Sequence, residues 1–342
     1  MVVVGSAKGS PGVTTLACAL GAVWPVQRRV LVAECDPAGG DIAVRFGLPA
    51  RPGMTGFVFA ARGTGAARGV EGARVSDDAG STMACGTGGT TSGSSRIAQL
   101  AGMDTEDSST ARSVLDDHLQ SLPGGLEVLV APAGAEAAMV LDAQLANVVP
   151  SLASSGADVI ADCGRLAVTS PGQLAMLRHA ACLVLVARSG VADLSHLRAA
   201  ASSLGIGNSC RGSETERCHR TVVVLVGNGD VEPRDVASET GLDEVMLMPT
   251  DGAAAASLGG HPGRTRDLER SPLIAAARQL AATIMEFPRS DTASTGGGPI
   301  ETGGGGALSG RRDEYALAAR LLRRAADGVL QRVGSSRRVA AW

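Results

Sequence analysis

The sequence predicts an α/β protein: a doubly wound, mostly parallel sheet flanked by helices. Three observations carry this expectation. Six short runs are apolar with no polar alternation, which suits strands covered on both faces. Longer stretches with helical spacing lie between them, and such alternation favours a parallel sheet with right-handed crossovers. The composition is 44% hydrophobic but only 2% aromatic, so the core must be aliphatic. A chain of 342 residues can hold one large α/β domain or two smaller ones. Its net charge of −3 gives no global attraction to nucleic acid or membrane.

The first strand is "MVVVG" (1–5), and a helix is expected over 13–24. Between them lies "SAKGSPGVTT", which holds Lys8, the only lysine among 31 lysines and arginines. An ammonium kept where every other cation is a guanidinium suggests a need for a compact point charge. Strand, glycine loop and helix together form a phosphate cradle, in which backbone N–H groups and the helix dipole converge on an anion. The ordinary loop reads G-x-x-x-x-G-K-[ST]. Across residues 7–14, Gly12 and Thr14 match, Ala7 stands at the first glycine and Val13 at the lysine.

The second strand is "RVLVAEC" (29–35), running into "DPAGGD". Residues 62–112 are rich in Gly, Ser, Thr and Ala and read as a disordered insert. Further strands are expected at 126–132, 157–163, 181–187 and 221–228, with helices at 137–154, 171–178, 191–204 and 233–240. Residues 288–310, including "STGGGPIETGGGG", read as a flexible linker. In the tail 311–342, "RRDEYALAARLLRRAADGVLQRV" has helical spacing, with eight arginines by residue 338 against three acids.

Of the seven cysteines, Cys35, Cys163 and Cys182 lie in apolar runs and should pack as small hydrophobes. Cys210, Cys218 and His219 lack a full ligand set at zinc spacing, so no zinc is expected, and Cys163 has no second cysteine in a matching place, so no iron–sulfur cluster is expected either. With no apolar stretch of roughly 18 residues and no leader ahead of the first strand, a cytoplasmic protein with reduced thiols is expected.

The loop resembles the deviant Walker A loop of the MinD/ParA superfamily of SIMIBI-class P-loop ATPases, K-G-G-x-G-K-[ST]-T. Lys8 matches the family's signature lysine, Gly9 and Gly12 its glycines, and Thr14 and Thr15 its hydroxyls; Ser10 lies within the loop and Val13 replaces the second lysine. "VLVAECDPAGGD" resembles the D-x-D-P motif, with Glu34 at the first aspartate and Asp36 at the acid that orients the attacking water. "DVIADCG" resembles the Walker B strand, placing Asp162 near the magnesium waters. Asn228 falls where an amide reads adenine, and Pro249 and Asp251 where a segment packs on the base. "RSPLIAAARQLAATIM" (270–285) resembles the closing helix, so the likeness spans 1–287 apart from the insert.

The resemblance implies ATP or ADP held with Mg²⁺, the metal by Thr14, Glu34 and Asp162, partly through water. It also implies a homodimer across the nucleotide, with Lys8 and Asp36 in catalytic roles. Loss of one charge-stabilising cation commonly costs about 10²- to 10³-fold in rate, so Val13 implies weak or absent hydrolysis. The implied role is localising a chromosome, division, secretion or pilus machine. Two alternatives compete: a pseudo-ATPase scaffold that binds no nucleotide, and an ATP-dependent enzyme of the same superfamily. The arginine-rich tail could meet anionic membrane, DNA or a protein.

Overall fold

Strand β1 (Val2–Ser6) is buried along its whole length. The computed structural model describes residues 1–9, 11–73, 112, 114–206, 220–227, 231–242, 244–261 and 268–286. Ser10, Cys210, Cys218, His219, Asn228, the linker 288–310 and the tail 311–342 lie outside the described residues, as does 74–111 of the insert. Among the described residues eight strands form one sheet, in the order β3 (Gln120–Ser121), β4 (Glu127–Leu129), β2 (Val30–Glu34), β5 (Asp158–Arg165), β1, β6 (Cys182–Arg188), β7 (Arg220–Val226) and β8 (Glu244–Met248). β3 pairs with β4 antiparallel, whereas β1 with β5 and β6, β2 with β4, β6 with β7 and β7 with β8 pair parallel.

The chain divides into two compact units. In the first, β1 pairs with β5 (Asp158–Arg165) and β6 (Cys182–Arg188); β7 (Arg220–Val226) and β8 (Glu244–Met248) follow. Helix α1 (Val13–Val23) packs on α10 (Pro272–Glu286) and α9 (Gly252–Leu258), while α7 (Val191–Ser203) and α8 (Pro233–Thr240) also pack together. The aliphatic core foreseen from composition is present: Val3, Val4, Leu183, Leu185, Val223 and Leu225 are fully buried. Gly5 is needed at the end of β1, because a Cβ there would stand 2.5 Å from Leu166 Cγ.

The second unit holds β2 (Val30–Glu34), β3 (Gln120–Ser121), β4 (Glu127–Leu129), α2 (Ile42–Phe46), α3 (Met54–Ala73), α4 (Ala135–Leu145), α5 (Val149–Ala153) and α6 (Pro171–His179). Arg29 joins strand starts there, donating to Glu127 at 2.7 and 3.0 Å and pairing with Asp116 at 2.6 Å.

All six expected strands are present, but β3 and β8 are additional. β8, "EVMLM", is a short edge strand with Glu244 and Leu247 exposed, and its apolar run is only four residues long. The single helix expected over 137–154 is two, because Pro150 has no N–H to continue a ladder and sits instead in the first turn of α5. The insert was expected from residue 62, yet α3 continues through Ala73 despite its glycines.

Candidate phosphate loop and adjoining cavity

In the first unit the loop leaves β1 at Ser6 and enters α1 at Val13. Gly12 is the N-cap with φ 102°, a left-handed conformation that favours glycine. No described side chain caps α1, so its first-turn amides face outward with the positive end of the helix dipole. Among the described residues, added Cβ atoms at Gly9 or Gly12 would meet nothing within 4 Å, so the space at those two positions is open. Lys8 is exposed, and Thr14 and Thr15 are half-buried. Val13, by contrast, is only 5% exposed: where a phosphate-loop lysine would stand, an aliphatic side chain enters the core.

Asp162 lies on β5 opposite Val4 of β1, at the root of the loop, and is buried. Its Oδ1 accepts from the Gly164 N–H at 3.2 Å. Beside it, Ser6 Oγ donates to the Gly164 carbonyl at 3.2 Å and the Leu166 N–H donates to the Ser6 carbonyl at 2.9 Å. These bonds fasten the β5 end to the strand that launches the loop.

A cavity of about 230 Å³ opens beside the loop. Gly12 and Thr15 border it, with Leu16, Met248, Pro249, Asp251 and Leu273 among its other walls. The fold thus joins the loop to the predicted pair Pro249 and Asp251, more than 230 residues away. Sequence reasoning missed Leu16, Met248 and Leu273, because an apolar side chain carries no signal separating a cavity wall from a core contact.

Asp251 has a structural task as well. Its Oδ1 accepts from the Ala254 N–H at 3.0 Å, capping α9, and its Oδ2 accepts from Ser271 Oγ at 2.7 Å. Ser271 Oγ in turn accepts from the Leu273 N–H at 3.1 Å, so one carboxylate links the starts of two helices. The Ala254 amide, then the Ser271 hydroxyl, hold the Asp251 carboxyl below its ordinary value. A depressed acid contributes stability above the unfolded value, and this is lost as pH falls through the folded one. Ser271→Ala is expected to raise the Asp251 pKa towards the ordinary aspartate value, read by NMR titration of the carboxyl. An unmoved pKa would contradict the assignment.

The second unit carries the acidic motif. Asp36 is half-buried at the end of β2 and its Oδ1 accepts from the Ala38 N–H at 2.8 Å. Burial pushes its carboxyl above the ordinary value, opposed by that amide and reinforced by the charge of Asp41. Glu34 differs from its expected metal role. It is 2% exposed, and Oε1 accepts from the N–H groups of Asp41 and Ile42, each at 2.7 Å, while Oε2 accepts from Ala131 at 3.0 Å. Its carboxylate is therefore committed to the start of α2 and the chain beyond β4. Burial pushes its pKa up, against those three amides. Gly40 makes room, since a Cβ there would lie 2.6 Å from Glu34 Oε2.

The open loop, its amides and the adjoining cavity fit a phosphate-bearing ligand with a flat ring. Magnesium, when bound, would supply positive charge beside the phosphates. Thr14 and Asp162 remain to hold it, a set adequate for an ion that binds through one or two protein oxygens plus phosphates and water. No group of three His, Cys, Asp or Glu suited to a metal occurs among the described residues.

No family model matches the sequence, and no curated protein matches it. Solved structures do. A ParA family ATPase from Chlorobium tepidum TLS is 16% identical with a TM-score of 0.53, covering 82% of this chain and 98% of its own. The cell division ATPase MinD of Pyrococcus furiosus is 16% identical with a TM-score of 0.52, covering 84% and 98%. MinD from Aquifex aeolicus is 13% identical with a TM-score of 0.51, covering 84% and 98%. The chain shares the fold of these ParA family and MinD structures.

Proposed function

We propose that this chain is a MinD/ParA-like positioning or partitioning protein that binds ATP or ADP with Mg²⁺ and associates as a homodimer across the nucleotide, with weak or absent hydrolysis. The observation that carries the reading is the cavity shared by Gly12, Thr15, Pro249 and Asp251. It sets a base-sized apolar recess against the helix end that would take phosphates. In this reading Lys8, Gly9, Ser10, Gly12, Val13, Thr14 and Thr15 surround the phosphates, and Asn228 joins Pro249 and Asp251 at the base. Thr14 and Asp162 serve the metal, and Asp36 orients water.

The cargo would be a chromosome, division, secretion or pilus machine, served from the cytoplasm. The tail 311–342 supplies the surface for a protein, DNA or anionic lipid. Among the described residues no helix is long and apolar enough to cross a membrane. Calorimetric titration of the full chain with Mg·ATP, with light scattering in parallel, is expected to show saturable heat and a monomer-to-dimer shift. Absence of heat together with an unchanged melting temperature would leave an inert scaffold.

A further inference from the structure

We infer that this site scarcely distinguishes nucleoside triphosphate from diphosphate, so that occupancy itself, rather than the third phosphate, sets the protein's state. The inference rests on the nucleotide-binding reading above and assigns what controls that site.

The argument follows the charges along the loop. An ordinary phosphate loop cradles the first two phosphates with backbone amides and reaches the outer two with its lysine. Here the amides at the start of α1 are available. Val13, however, is directed inward at 5% exposure and offers no donor. The cation that remains in the loop is Lys8, and it is exposed. An exposed ion pair contributes roughly 0–1 kcal/mol, which is about fivefold in affinity at most.

The apolar end of the site points the same way. Leu16, Val226, Met248, Pro249 and Leu273 line the cavity next to Gly12 and Thr15. Contacts with those walls are the same for every member of a series differing only in phosphate number. Removing the third phosphate therefore leaves both the cavity contacts and the amide cradle intact. Removing the second takes away a group the amides hold.

The test is a calorimetric series on the full chain with ATP, ADP and AMP, each with magnesium. Dissociation constants for ATP and ADP within tenfold of each other, with AMP at least tenfold weaker than ADP, are the expected result. ATP tighter than ADP by tenfold or more overturns the inference while leaving nucleotide binding intact, and so does AMP equal to ADP. No heat with any of the three overturns the binding reading itself. Light scattering adds a second readout: ADP should promote association at the same occupancy as ATP, and dimerisation confined to ATP overturns the inference.

Discussion

Glu34→Ala is expected to destabilise the protein by about 3–4 kcal/mol, seen as a lower urea midpoint with little change in slope. The size follows from what the carboxylate does. Three backbone donors, from Asp41, Ile42 and Ala131, converge on it at 2.7–3.0 Å in a place that is 2% open to solvent. Alanine leaves all three without an acceptor, and an unmet buried donor costs about 1–3 kcal/mol. Entry of water into the vacated volume would recover part of this, which is why the sum is set below three full penalties. Glu34→Gln is the informative companion. One carboxamide oxygen can still accept, but the amide nitrogen meets at least one backbone N–H donor to donor. Its loss should be about half that of alanine. A loss below about 1 kcal/mol for Glu34→Ala would show that the carboxylate is dispensable.

How far the sequence disclosed the molecule depends on how each feature is encoded. The six parallel strands were legible because burial on both faces forces continuous apolar runs, as in "CLVLVA" and "TVVVLV". β3 escaped because two residues have no periodicity, and β8 because four apolar residues in a row are too few to tell a strand from the start of a helix. Pro150 was in view, but helical spacing continues through it and hid the break between α4 and α5. For the site, Gly12 declared itself through the glycine pattern, and its left-handed φ confirms the need.

Glu34 shows the opposite failure. A carboxylate at a strand end beside Asp36 resembles a metal ligand in sequence. Only coordinates reveal that its lone pairs are directed at three amides of its own unit. Pattern fixes residue type and place, whereas the direction of a side chain depends on partners distant in sequence. The cavity walls Leu16, Met248 and Leu273 were hidden for a related reason, since cavity and core use the same residue types.

The second large effect concerns Val13. Val13→Lys should raise ATP hydrolysis by about 10²- to 10³-fold, the size usual for restoring one preorganised charge-stabilising group. The same change should cost stability. The position is 5% exposed, and an ammonium forced into that setting without an anion is penalised by desolvation. Because residue 13 is the first of α1, the long stem can direct the ammonium towards the open loop, so the loss should be limited to about 1–3 kcal/mol. The two effects are linked through the ligand. Phosphates supply the missing counter-charge, so saturating Mg·ATP should raise the melting temperature of the variant more than that of the native protein. A cation reaching the outer phosphates should also introduce a preference for ATP over ADP above tenfold, where the native chain has little. Hydrolysis and nucleotide preference are measured on the same preparation. If Val13→Lys folds, binds nucleotide and yet changes neither, Val13 is not the residue that mutes this site.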